Sequence, residues 1–272
     1  MKYIAKEQEP KEFTDWKRQE SPEKWRDFQN PVKSLVRDSL TEEQGCICCY
    51  CGTRIQKDHN TVIEHLKPRR DYPENMFNYD NLLASCHGSA KDIIHIKNDT
   101  LENIVRLYGV RQEEVRSLNP DIDFNHSSSP SRIRISKKAD RRPEDLHCDT
   151  RKGRNEIPIT PLMPDCEDFF QYRRSDGEMI SNSSEEAEET IRILGLNAKI
   201  CKTSRKGVLN GVIHAIEFIH SELLSAKKLT KENFRFEIEQ LIKRYSQKNE
   251  QGQFGHYCFV CVSYLRDFLE DN

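Results

Sequence analysis

Apolar positions recur with helical spacing near both ends of this chain, and the middle follows shorter and less regular patterns. Within residues 1–45, Trp16, Trp25 and Phe28 are scattered apolar anchors. Leu35, Val36 and Leu40 then recur at helical spacing up to Gln44-Gly45, a stop signal. Over residues 185–272 four stripes follow one another: Ala187, Ile191, Leu194 and Leu196; Val208, Val212, Ala215, Ile216 and Ile219; Phe234, Ile238 and Leu241; and the run from Cys258 to Leu269. Each stripe is one face of an amphipathic helix, so this region is expected to pack as a helical bundle on what precedes it. Between the ends the pattern predicts a short strand around 61–63 and a polar loop over 71–75. A helix is expected to begin near Asp80 or Asn81, either of which can cap its amides. Residues 155–184 read as loop and strand, punctuated by Pro158, Pro161 and Pro164, with Asp176-Gly177 as a hairpin turn.

Residues 92–137 have their own rhythm. Ile93, Ile94 and Ile96 predict a strand, 100–109 a helix stopped by Gly109, 112–118 a second helix before Asn119-Pro120, and Ile133 with Ile135 a closing strand. The segment DTLENIVRLYGVRQEEVRSLNP within it resembles a LysM module, with Asn98-Asp99 where Gly-Asp is usual. Paired terminal strands bring entry and exit together, so such a βααβ unit can interrupt a host domain; a contact surface is its expected role.

Composition narrows the class. With 272 residues, 35% hydrophobic and 32% charged, the chain is long enough for a core, and polar without being disorder-like. There is no apolar run long enough for a bilayer and no signal-peptide core at the start, so a soluble, cytoplasmic protein without a membrane partner is expected. Ten cysteines then point to metal binding or buried thiols rather than disulfides. Net charge is only −2, but Arg132, Arg134, Lys137, Lys138, Arg141, Arg142, Arg151, Lys152 and Arg154 crowd one stretch against four acidic residues. Such a cluster suits a phosphate backbone, and as a charge run alone it is equally a solvated loop. No Gly-rich phosphate loop is present, so the chain itself is not expected to hydrolyse nucleotides.

The candidate chemistry lies in four short stretches: Cys48-Cys49-Tyr50-Cys51-Gly52, Ile63-Glu64-His65-Leu66-Lys67-Pro68, Asn81 to Cys86, and Cys148-Asp149 with Lys152-Gly153. A Cys-x-x-Cys pair on a tight turn offers half of a tetrahedral zinc site, and Cys86 and Cys148, at the two ends of the interruption, offer the other half. Cys46 and Cys49 share that spacing; Gly52 favours Cys48 and Cys51, because glycine permits the turn that aims amides at sulfur. His65 is a candidate general base, Glu64 and Asp149 are candidate oxygen ligands for Mg²⁺ or Mn²⁺, and Asn81 is a candidate brace for the loop after His65. Lys67, Arg69, Arg151, Lys152 and Arg154 are candidate phosphate contacts. Cys258 and Cys261 repeat the Cys-x-x-Cys spacing inside an apolar helical run and read as core thiols. His147, beside Cys148, is a weaker candidate for a ligand or a phosphate contact.

Taken together, these elements form the zinc-braced nuclease motif named for His-Asn-His, and the chain resembles the Septu-type HNH nuclease subunits called PtuB, including those attached to retrons. The likeness runs from Lys6 to Pro10 and the TEEQ helix end, through CCYCGTRI, IEHLKPR, NYDNLLASC and HCDTRKG, to PLMPDC, TIRILGLN and Arg205. It implies an α+β fold with a ββα-metal core over 46–91 and 138–184, flanked by the helical lead-in at 1–45, the LysM-like insertion at 92–137 and the helical region at 185–272. It also implies His65 as base, Glu64 and Asp149 as metal ligands, a PtuA-like ATPase partner and a role in antiphage defence; metal-assisted phosphate chemistry accepts either DNA or RNA such as tRNA as substrate. For the retron-attached members it further implies retron RNA/DNA and a reverse transcriptase. Asp149 stands where many HNH enzymes carry Asn or His. A zinc-braced nucleic-acid-binding adaptor with a vestigial site is the competing expectation.

Overall fold

The computed structural model describes residues 1–88 and 143–271. The expected βααβ insertion, and the cluster cations Arg132, Arg134, Lys137, Lys138, Arg141 and Arg142, lie outside the described residues. What is described is a mixed α+β structure with two small antiparallel sheets. Helices α1 (Lys11–Glu20) and α2 (Val32–Glu43) lead into strands β1 (Thr61–His65) and β2 (Leu82–Cys86) and a one-turn helix α3 (Cys148–Lys152). A second hairpin, β3 (Phe170–Tyr172) and β4 (Met179–Ser181), precedes helices α4 (Glu185–Leu194), α5 (Lys199–Ser225), α6 (Lys231–Ser246) and α7 (Cys258–Asp271).

The helix expected to start at Asp80 or Asn81 is instead a 3-10 turn, Tyr79–Asn81, that feeds β2. Asn78, not Asp80 or Asn81, caps that turn by accepting the Asp80 amide at 3.1 Å. The local capping chemistry is that of a helix start, but Leu82-Leu83-Ala84-Ser85-Cys86 is buried at every position and pairs along its length with β1, with Glu64 opposite Leu83 and His65 opposite Leu82. Burial on both faces, under α2 and α3, makes an extended strand the conformation that hides the whole run.

The other edge of β2 is closed by a side chain. The Gln44 carboxamide accepts the Ala84 amide at 2.7 Å and donates to the Ala84 carbonyl at 2.7 Å and the Ile47 carbonyl at 3.0 Å, standing in for a strand. Its neighbour Glu43 is buried and takes Lys6 Nζ at 2.6 Å and the Glu7 amide at 2.8 Å, and the same Lys6 ammonium reaches the Leu82 carbonyl at 3.1 Å. The N-terminal segment, the end of α2 and the start of β2 are thus locked by one buried polar network.

The apolar stripes of the C-terminal region form a second core. Val208, Leu209 and Val212 of α5, Ile238 and Leu241 of α6, and Val260, Cys261 and Leu265 of α7 pack together with Ile47. Cys258 and Cys261 sit in this core, fully buried on α7. The two cores meet at the cysteine-rich turn. Gly52 (φ +77°) lies so close to the Phe259 ring that a Cβ there would come within 2.3 Å, and its carbonyl accepts the Tyr257 amide at 2.9 Å. The expected β3–β4 hairpin forms around Asp176-Gly177 and is tied down by Arg205, whose buried guanidinium donates to the Gly177 carbonyl at 2.7 Å and to Asn197 at 2.9 Å. No helix among the described residues is long and apolar enough to cross a membrane.

Candidate active site

Four thiols converge where the cysteine-rich turn, the end of β2 and the start of α3 meet. The Sγ atoms of Cys48, Cys51, Cys86 and Cys148 lie within 4.8 Å of one another and all four residues are buried. Cys48 and Cys148 are 3.9 Å apart, and Cys51 and Cys86 3.8 Å. A tetrahedral ion with sulfur at about 2.3 Å has S···S edges of about 3.8 Å, so the spacing fits structural zinc. Burial pushes the Cys148 thiol well above its ordinary value and the neighbouring sulfurs push it further, a cost that a bound cation removes. Cys46 and Cys49 are outside this cluster, which answers the choice of register.

The chain on either side of the undescribed segment is held together at this point. The His147 amide donates to the Gly88 carbonyl at 3.0 Å, and the Thr150 hydroxyl donates to the His87 carbonyl. Gly195 (φ +58°), capping α4, presses on the same stretch: a Cβ there would come within 2.4 Å of the Leu146 carbonyl. His147 is fully buried with Nδ1 3.2 Å from Cys148 Sγ, so it borders the thiols rather than any surface open to phosphate.

Glu64 and His65, neighbours on β1, face different company. Glu64 Oε1 accepts the Tyr50 hydroxyl at 3.0 Å and the Lys152 ammonium at 2.9 Å, and the Asp149 carboxyl is near enough to act on its charge. Burial, reinforced by the Asp149 carboxyl, pushes Glu64 up to about 8, with Lys152 pulling the other way. A buried carboxyl whose charge is costly, with a second carboxyl acting on it, is the donor set a hard divalent cation would relieve. The His65 ring packs edge-on against Trp25 at 4.4 Å and its Nε2 lies 3.0 Å from the Met76 carbonyl. A carbonyl only accepts, so Nε2 carries the proton and Nδ1 the lone pair. Burial lowers the His65 pKa to about 4, with Arg69 and Lys152 adding to the effect, so the ring is neutral at physiological pH.

Asn81 spans the turn after His65. Its amide accepts the Lys67 backbone N–H at 2.7 Å and donates at 3.1 Å to the Lys67 and Asn75 carbonyls. The five candidate phosphate contacts divide. Lys67, Arg69, Arg151 and Arg154 are exposed. Lys152 is 1% exposed, and its ammonium is engaged by Glu64 and, at 2.9 Å, by the His65 carbonyl. It therefore sits beneath the site as its internal cation and offers no surface for a phosphate. Two further residues matter here that the sequence pattern did not mark. Trp25, read as an apolar anchor, carries the ring against His65 and has Arg69 at 5.3 Å and Lys33 at 5.5 Å over it. Tyr50, unremarkable between two cysteines, reaches Glu64; a polar tip on an otherwise buried ring was the one available signal.

No protein-family model matches this chain. Over 63 residues, 22% of the chain, it is 43% identical to a protein of Vibrio cholerae serotype O1 biovar El Tor named "Retron Vc95 putative HNH endonuclease". The match spans 30% of that relative's length. With the four-cysteine cluster, the likeness supports a nuclease-like function of the HNH type.

Proposed function

We propose that this protein is a metal-dependent HNH endonuclease with a ββα-metal centre, hydrolysing phosphodiester bonds of DNA or tRNA as the PtuB-like subunit of an antiphage complex with a PtuA-like ATPase. The observation that carries the reading is Glu64, with the Asp149 carboxyl acting on it and His65 next to it on β1, tied by Tyr50 and Lys152 to the segments that bear the four-thiol cluster. The name of the relative supports the HNH type, and the narrower assignment rests on the PtuB-like sequence elements alone; retron RNA/DNA and a reverse transcriptase are proposed as further partners from that resemblance.

In this reading His65 Nδ1 takes a proton from water as the water oxygen forms its bond to phosphorus and the ester P–O bond breaks. Asn81 keeps the backbone after His65 fixed, and Met76 keeps the ring in the tautomer that leaves Nδ1 basic. Glu64 and Asp149 would hold Mg²⁺ or Mn²⁺, which would supply charge stabilisation at the phosphate and the leaving oxygen. Lys67, Arg69, Arg151 and Arg154 offer exposed charge to the flanking backbone. The zinc-braced adaptor reading is favoured by one observation, that Lys152 already neutralises Glu64 from within.

The deciding experiment presents plasmid DNA and total tRNA, with Mg²⁺ or Mn²⁺, to the purified protein with and without a PtuA-like ATPase. Cleavage by wild type that falls at least about 10²-fold in His65→Ala supports the enzyme. Equal behaviour of the two proteins, or no cutting by the zinc-loaded complex, leaves the adaptor.

A further inference from the structure

The thiolate cluster and the carboxylate pair are joined by side chains that packing alone does not require. Tyr50 lies between Cys48 and Cys51, its ring is 1% exposed, and its hydroxyl donates to Glu64 Oε1 at 3.0 Å. Phenylalanine would fill the same space; the hydroxyl has Glu64 as its partner and, in this interior, would cost stability without one. The turn that carries Tyr50 is pinned to β2 by the Cys49 amide on the Ala84 carbonyl at 3.1 Å. From the opposite side, Lys152 delivers its ammonium to the same oxygen at 2.9 Å, from the helix that begins at Cys148. The cysteine-rich turn and the helix that starts at Cys148 therefore both end on one carboxylate oxygen. Two donors on one oxygen restrain the carboxylate's last torsion, and the second oxygen takes neither donor.

We propose that Tyr50 is a positioning residue through which the metal-bearing thiolate cluster orients Glu64 for a divalent cation. The inference rests on the nuclease reading for the identity of that cation centre. Its consequence is that the two metal sites are mechanically coupled: a cysteine-rich turn that loses its ion also loses the donor that aims Glu64. Partners of this kind behind a metal ligand change affinity by about 10–100-fold when removed.

The test uses the full-length, zinc-loaded chain with Tyr50→Phe and Glu64→Gln. Zinc content is measured, and Mn²⁺ binding is titrated by electron paramagnetic resonance. Glu64→Gln is expected to abolish the Mn²⁺ site. Tyr50→Phe should keep wild-type zinc and unfold at the wild-type urea midpoint to within the effect of one hydrogen bond. Its Mn²⁺ dissociation constant should rise about tenfold or more, with turnover recovering as Mn²⁺ is raised. Wild-type Mn²⁺ affinity in Tyr50→Phe overturns the proposal. So does loss of zinc in that variant, because Tyr50 would then serve the thiolate turn itself, and so does a Mn²⁺ site that survives Glu64→Gln. If wild type cuts no nucleic acid while Tyr50→Phe weakens Mn²⁺ binding, the nuclease reading falls and the positioning role stands.

Discussion

The thiolate cluster and the carboxylate–imidazole site share their walls but solve opposite electrostatic problems. At the first, four like groups are buried together with the His147 ring beside them, and a cation from solution would supply most of the compensating charge. At the second, the protein supplies part of the compensation: Lys152 lies against Glu64, and a backbone carbonyl holds the proton of His65. The first site is built to be incomplete without its ion. The second carries part of its counter-charge built in, as suits a centre that must take in substrate and cation and release them again.

The largest effect expected from breaking this contrast is on the thiolate side. Chelation, or Cys51→Ser, should remove a structural ion worth on the order of 10 kcal/mol to small zinc-dependent folds and unfold the hairpin, seen as lost zinc and lost cooperative melting. Cys258→Ala, in the second core, should keep zinc and cost about 1–2 kcal/mol of stability. Next comes Lys152→Met, which strands Glu64 without its internal cation; urea unfolding above about pH 8, where Glu64 is ionised, should show about 3–5 kcal/mol of destabilisation. Added Mn²⁺ should restore more stability to this variant than it adds to wild type, and equal gains would disprove the view of Lys152 as the site's built-in counter-charge.

A smaller effect concerns acid. His256, beside the turn's Gly52–Tyr257 contact, is buried, and burial with Arg54 nearby lowers its pKa to about 4. The unfolded chain therefore binds the extra proton between about pH 6.5 and 4, so this contribution is complete above 6.5 and is lost as pH falls through that window. The loss amounts to about 3 kcal/mol by pH 4, and His256→Asn should flatten that limb of a urea-midpoint profile. Smallest of all should be Trp25→Ala, which leaves zinc content unchanged but frees one side of His65. Cleavage is expected to fall about tenfold, equivalent to about 1.4 kcal/mol; unchanged cleavage would make Trp25 a core aromatic only.

Much of the frame was legible because it depends on short-range pattern. The four helical stripes became α4 to α7, with Leu196 of the first falling past the Gly195 cap, and Asp176-Gly177 became the β3–β4 turn, since amphipathic period and turn chemistry act over a few residues. The thiol spacing also carried through, because a Cys-x-x-Cys turn places two ligands whatever surrounds it. The helix expected at Asp80 failed for the complementary reason. Asn78 caps a turn there as locally preferred, but the following five residues lie between α2 and α3 and pair with β1, and no local signal reports that they are covered on both faces.

The sequence by itself determined which groups are present and which sit close along the chain: the cysteine pair, Glu64 next to His65, Asp149 next to Cys148. Only the tertiary structure decided what each group faces. It turned Lys152 from a surface cation into a buried partner of Glu64, gave Trp25 the ring of His65 to pack on, and set the Tyr50 hydroxyl against a carboxylate. The reason is that charge and hydrogen-bonding roles follow from desolvation and distance in three dimensions, and both are settled by packing between segments far apart in the chain.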